Sequence, residues 1–144
     1  VAEFRHRFTV DYVDTDALGI VHFSNYFRYF ERAELALLRS LGFDYRRLNR
    51  DMGVAIPRVE AHCRYLSPCT FSQEVEVELW VEELRDRSLK YGFRIHNVSG
   101  GKVAAEGWVT VVSVDTSHFK AVKMPEELRR ALTPYLREGR HPAK

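Results

Sequence analysis

Residues 54–115 read as four strands in succession, and only one other segment is long enough and suitably patterned to cover them. Residues 54–66 set Val59, Ala61, Cys63 and Tyr65 against Arg58, Glu60, His62 and Arg64. Residues 74–84, EVEVELWVEEL, alternate Val75, Val77, Leu79 and Val81 with glutamates. Residues 88–98 place Leu89, Tyr91, Phe93 and Ile95 on one face, and residues 102–115 form the longest apolar run of strand character. A period of two is the mark of a strand with one face covered. Gly100-Gly101 supplies a tight hairpin turn between the last two. An earlier strand is expected over 4–13, with Phe4, His6, Phe8, Val10 and Tyr12 opposite Arg5, Arg7, Thr9 and Asp11.

The covering element begins at Ser24. From there Phe27, Phe30, Leu37, Leu38 and Leu41 recur near helical spacing, with Arg28, Glu31, Arg32 and Arg39 between them. Ser24 or Asn25 suits an N-cap and Gly42 a C-terminal stop. At 1.5 Å per residue this helix is roughly 27 Å long. A short helical stretch is expected over 44–51 and a C-terminal helix over 125–136, with Pro125 in its first turn. Hairpin-length links make the later strands antiparallel. The expected architecture is a single α+β domain over residues 1–144: an antiparallel sheet of five to six strands around one long helix, with a loose tail from about 137 to 144. Such a sheet keeps open edges, so a homodimer formed by sheet extension is expected, and from it a dimer of dimers.

Charge excludes some partners. With 22 basic and 20 acidic residues the net charge is +2, and the basic residues are scattered, so nucleic acid is not expected. No apolar run reaches the roughly 18 residues of a membrane span. The charged, strand-like start VAEFRHRFTV does not read as a signal peptide, and two cysteines, Cys63 and Cys69, make no disulfide framework, so the expected location is cytoplasmic. His62, Cys63 and Cys69 are the nearest approach to a metal set. His62 and Cys63 point to opposite faces of a strand, and no metal is expected. There is no G-x-S-x-G elbow and no phosphate-binding G-x-x-x-x-G-K-[ST] loop. Trp80 and Trp108 read as packing residues, since no basic groove accompanies them.

The segment that carries chemistry is DTDALGIVHFSNYF, residues 14–27. Two acids, Asp14 and Asp16, sit in a turn that leads directly into the long helix. A helix start exposes unpaired N–H groups at the positive end of the dipole, which can hold an oxyanion. An acid beside it can activate water or attack a carbonyl. Together these make a minimal hydrolytic site, best suited to a thioester because a thiolate leaves without a strong general acid. The plain alternative is that the acids only cap the helix, a contribution of about 0.3–1 kcal/mol.

DYVDTDALGIVHFSNYFRYFERAE resembles the signature of the 4-hydroxybenzoyl-CoA thioesterase family, whose members have the hot-dog fold. Asp14, Asp16, Gly19, Ile20, Val21, Asn25, Tyr26, Glu31, Arg32 and Ala33 fit its pattern, and the likeness extends to about residue 124. The resemblance implies an acyl-CoA thioesterase in which Asp16 is the catalytic carboxylate, Asp14 shapes the loop, and the backbone N–H of Phe23 polarises the carbonyl. Asn25 and Tyr26 become substrate contacts. Members often carry histidine where Phe23 stands; here His22 is one residue earlier, with either a site role or a packing role. The family's phosphate-contacting basic residues match Arg85, Arg87 and Lys90 in LRDRSLK, where Asp86 interrupts the run. Coenzyme A is then part of the substrate, and no separate cofactor is implied.

Two further functions fit the same fold: a non-catalytic binder of acyl-CoA or acyl carrier protein, and a dehydratase. The dehydratase needs a histidine after a proline-rich turn, which the sequence lacks. Tyr26, Phe27, Tyr29, Phe30, Tyr91 and Phe93 either line an acyl tunnel or fill the core, so the acyl group is not specified.

Overall fold

The computed structural model describes residues 2–137. Five strands form an antiparallel sheet in the order β1-β4-β5-β6-β3: β1 (Phe4–Thr9), β4 (Glu74–Leu84), β5 (Ser88–Asn97), β6 (Lys102–Val112) and β3 (Arg58–Tyr65). The one long helix, α1 (Asn25–Ser40), lies across one face. A two-stranded ribbon pairs β2 (Val54–Ala55) with β7 (Val114–Asp115), and α2 (Glu126–Leu132) follows. This is the α+β architecture that the resemblance implies.

The apolar stripe of α1 explains its seat. Tyr29, Phe30, Ala33, Leu37 and Leu38 are buried, and they meet Val75, Val77, Leu79, Tyr91, Phe93 and Ile95 from the central strands within one core. Phe30 stands 5.3 Å from both Tyr91 and Phe93, ring centre to ring centre. Each large side chain buried this way contributes about 1.5–3 kcal/mol. Ser24 occupies the N-cap position, and Gly42, with φ of 89°, turns the chain out of the helix.

Several expectations need correction. The first strand stops at Thr9; a 3-10 turn over Tyr12–Asp14 follows and leaves Tyr12 exposed. The segment 54–66 is broken at Ile56–Pro57 into β2 and β3, since proline cannot continue the ladder. Val59, Ala61 and Tyr65 are exposed, because β3 is an edge strand beyond the cover of α1. The run 102–115 breaks at Ser113, so β6 at 11 residues is no longer than β4. Residues 44–51 hold a π-helical turn at Arg47–Asp51, and 125–136 divide into α2 and a 3-10 turn at Thr133–Tyr135, with Pro125 at the N-cap position.

The glutamates of β4 are not a solvated face either. Glu78 and Glu82 are buried, and Glu78 accepts hydrogen bonds from His96 and Arg137, each at 3.1 Å. Arg137, the first residue of the expected tail, is therefore buried and paired; the rest of that tail, 138–144, lies outside the described residues. Among the described residues no helix is long and apolar enough to cross a membrane, and no group of three or more His, Cys, Asp or Glu side chains is set to hold a metal ion.

Candidate active site

The loop between β1 and α1 folds into a small hairpin. Thr15 and Val21 form an antiparallel bridge, the Asp16 N–H donates to the Ile20 carbonyl at 2.9 Å, and the Gly19 N–H donates to the Asp16 carbonyl at 2.9 Å. Gly19 has φ of 78°, a left-handed conformation that favours glycine. Ile20 bridges Thr70 and the Val21 N–H donates to the Cys69 carbonyl at 2.9 Å, which ties the hairpin to the segment entering β4.

The two acids have different surroundings. Asp14 Oδ2 accepts from the Tyr29 hydroxyl at 2.8 Å and from the Asp11 N–H at 3.2 Å, while its carbonyl accepts from Asn25 Nδ2 at 2.8 Å and from the His22 N–H at 2.9 Å. Burial, then the bond to Asp14, push the Tyr29 phenol well above its ordinary pKa, so it stays a donor. Asp16 Oδ1 accepts the Leu18 N–H at 2.8 Å, the side-chain turn typical of aspartate. No hydrogen bond to Asp16 Oδ2 is made among the described residues.

Asp16 lines a cavity of about 480 Å³ together with Leu18, Ile20, Val21, Phe23, Tyr26, Tyr65, Leu66, Ser67 and Pro68. The cavity is mostly apolar and lies where the start of α1 faces the end of β3. The Phe23 N–H has no hydrogen-bond partner among the described residues. Its carbonyl accepts from the Tyr65 hydroxyl at 3.0 Å, and the Tyr65 ring meets those of Phe23 and Tyr26 edge-on at 6.3 and 5.2 Å. Burial raises the Tyr65 phenol to about 12. Farther along the seam between α1 and β3, a second cavity of about 220 Å³ is lined by Phe27, Phe30, Arg58, Ala61 and Val109 among others.

The sequence-derived site residues separate into three groups. Asp16, Phe23 and Tyr26 share the cavity. His22 does not line it: Nδ1 lies 2.8 Å from Ser24 Oγ and accepts the Ser24 N–H at 3.3 Å, just before the helix, and Asn25 fastens the loop. Arg85 and Arg87 are exposed on the β4–β5 hairpin at the far end of the sheet, while Lys90 packs over the Trp108 ring at 4.5 Å on the sheet face away from α1. The sequence does not single out Tyr65, and it marks Tyr29 only as a tunnel or core residue. Tyr65 alternates like any strand residue, and nothing in the spacing of Tyr29 marks a bond to Asp14.

A family model described as the thioesterase-like superfamily matches residues 10–132. A protein of Aquifex aeolicus is 35% identical over 90% of this chain and 97% of its own length. The acyl-CoA thioester hydrolase YbgC of Escherichia coli is 29% identical over 87% of this chain and 92% of its own. Among solved structures, a gentisyl-coenzyme A thioesterase superposes with a TM-score of 0.78 at 30% identity, covering 89% of this chain and 98% of that one.

Proposed function

The chain belongs to the thioesterase-like superfamily, and from that premise we propose that it hydrolyses acyl-CoA thioesters, with Asp16 as the catalytic carboxylate and the Phe23 N–H as the oxyanion donor. The observation that carries this is the shared cavity: Asp16, whose carboxylate keeps an unengaged oxygen, and Phe23, whose N–H is unengaged just before the helix, line the same apolar space. In such a space a thioester carbonyl accepts the N–H as negative charge develops on its oxygen. Asp16 either takes a proton from water as the water attacks the carbonyl carbon, or attacks that carbon itself to form an anhydride that water then opens. In both routes the C–S bond breaks, the thiolate of coenzyme A leaves, and the acyl group departs as free acid. Coenzyme A enters as part of the substrate, and no separate cofactor is proposed.

The site is proposed to be shared between two chains. The hairpin that carries Asp16 is tied through Ile20 and Val21 to Thr70 and Cys69, just before β4 begins, whereas Arg85 directly follows its end. Eleven residues of strand separate them, about 36 Å at 3.3 Å per residue. A two-fold axis at the open β3 edge reverses the partner's strands and brings the opposite sheet end toward Asp16. Arg85 and Arg87 of the partner then become the phosphate contacts.

The test is thiol release from a panel of aliphatic acyl-CoA lengths together with benzoyl- and hydroxybenzoyl-CoA. The aromatic members belong in it because a relative is named for an aromatic acyl group. Release from at least one member supports hydrolysis. Binding of coenzyme A by folded protein without release from any member would make the chain a binding module instead.

A further inference from the structure

Beyond β6 the chain turns back on itself. Val114 bridges Ala121, the Val122 N–H donates to the Ser113 carbonyl at 2.9 Å, and the connection passes through Thr116-Ser117-His118-Phe119. This hairpin lies directly against the one between β4 and β5. The Ser113 N–H donates to the Arg87 carbonyl at 2.8 Å and the Met124 N–H donates to the Asp86 carbonyl at 2.8 Å. It is also fastened toward the open edge of the sheet, since β7 pairs with β2, which leads into β3.

Phe119 is out of place by ordinary rules. Its φ is 57°, in the left-handed region where a side chain carries a steric cost. The residue is 66% exposed, so no core packing offsets that cost. The turn itself is held by Asp115, whose side chain accepts the His118 N–H and whose carbonyl accepts the Phe119 N–H at 3.0 Å. Neither bond requires an aromatic residue. Lys120 and Lys123 follow the ring in the same hairpin; both are exposed, and like Arg87 neither is in an ion pair among the described residues. Acids in the adjoining segments include Asp86, Glu126, Asp115, which is turned into its own loop, and Glu83, which pairs with Arg85 at 3.6 Å. An exposed aromatic ring set among uncommitted cations suits a ligand with a flat base and several phosphates.

We infer that Phe119, Lys120 and Lys123 form a docking surface for the nucleotide of coenzyme A, the ring stacking on adenine and the lysines meeting the phosphates. This rests on the shared-site proposal above, and within it the 113–124 hairpin stands closer to the β3 edge, and so to the partner's Asp16, than Arg85 does.

Phe119→Gly tests it, because glycine removes the ring and also relieves the left-handed backbone, so the fold is not placed at risk. Titration of coenzyme A by calorimetry is expected to show about a tenfold weaker affinity for Phe119→Gly, at the lower end of a base–aromatic stack, with an unchanged or higher melting temperature. The paired change Lys120→Ala with Lys123→Ala is expected to flatten the salt dependence of that affinity. KM for acyl-CoA should rise in each variant, and the rise should disappear for an acyl-pantetheine thioester, which lacks the nucleotide. Unchanged coenzyme A affinity in both variants overturns the inference, and so does a change in sedimentation without a change in affinity, which would make Phe119 a subunit contact. If wild-type protein releases thiol from no acyl-CoA, the hydrolytic proposal fails by itself, and the titration still decides this surface.

Discussion

The hydroxyl of Tyr29, on the second turn of α1, donates to Asp14 Oδ2 at 2.8 Å, and this bond fixes the loop to the helix it precedes. It also separates two acids that look alike in the sequence. Asp14 is bound from its side chain and its carbonyl, by Tyr29, Asp11, Asn25 and His22. Asp16, two residues on, gives one side-chain oxygen to its own turn and borders the cavity.

Tyr29→Phe removes a buried donor to a carboxylate and keeps the ring that packs on Phe8. The expected loss is about 1.5–3 kcal/mol of stability, the range for a hydrogen bond to a charged group, read as a lower urea midpoint. Asp14→Asn is expected to loosen the same loop. Both should lower kcat less than a change at Asp16, and a rate loss in either as large as that of Asp16→Asn would put Asp14 in the chemistry.

Much of this arrangement was legible beforehand. The succession of elements along the chain, the single long helix and its stop at Gly42 follow from period and turn chemistry, and the loop signature points to Asp16, which lines the cavity; the pairing of β3 with β6 and of β1 with β4 does not follow from them. What alternation does not give is position within the sheet. Val59, Ala61 and Tyr65 carry the same pattern as the buried residues of β5, yet they stand at an edge and are exposed. Glu78 looks like a solvent residue because its partners, His96 and Arg137, are distant in sequence. The roles of Tyr29 and Tyr65 depend on such long-range contacts as well.

The exposed apolar face of β3 sets a second expectation. Sedimentation at micromolar concentration should show a dimer or a dimer of dimers, and Val59→Lys, a charge of the kind that keeps natural edges apart, should shift it toward monomer and reduce turnover. A wild-type chain that is monomeric and fully active would rule out the shared site.

Arg85 and Arg87 should act on binding more than on chemistry. Replacing both with alanine is expected to raise KM for acyl-CoA by about threefold to tenfold at low salt while kcat changes less, because ground state and transition state share a phosphate contact. An unchanged KM at low ionic strength would remove both residues from the site.

Glu78 makes stability depend on acid. Burial by itself would raise its carboxyl, but the hydrogen bonds from His96 and Arg137 and the charges of Arg5 and Arg137 outweigh it and hold the group below its ordinary value. A carboxylate with a lowered folded pKa stabilises the fold above the unfolded pKa and loses that contribution as pH falls through the folded value. The urea midpoint is therefore expected to drop as pH is lowered from roughly 6 to 3, across and below the ordinary glutamate range, and Glu78→Gln should be less stable at neutral pH and show a shallower drop. An equal slope in the two proteins would assign the acid sensitivity to other carboxylates.

Asp16→Asn is the decisive change at the centre of the cavity. The amide oxygen still accepts the Leu18 N–H that Oδ1 accepts now, so the turn is kept, and the side chain keeps its size. It loses the ability to take a proton from water and to serve as a carboxylate nucleophile. The expected outcome is a fall in kcat of roughly 10²–10⁴, the range for losing a general base, with the urea midpoint and sedimentation little changed. A single turnover of wild-type protein in ¹⁸O-labelled water then separates the two routes. If water attacks the thioester directly, label enters only the product acid. If Asp16 attacks first and the mixed anhydride is opened at its own carbonyl, label is found in Asp16 by mass spectrometry of the peptide that contains it. Should Asp16→Asn keep most of the wild-type rate on the best acyl-CoA of the panel, Asp16 is a turn residue, and the catalytic group must be sought elsewhere along the seam between α1 and β3.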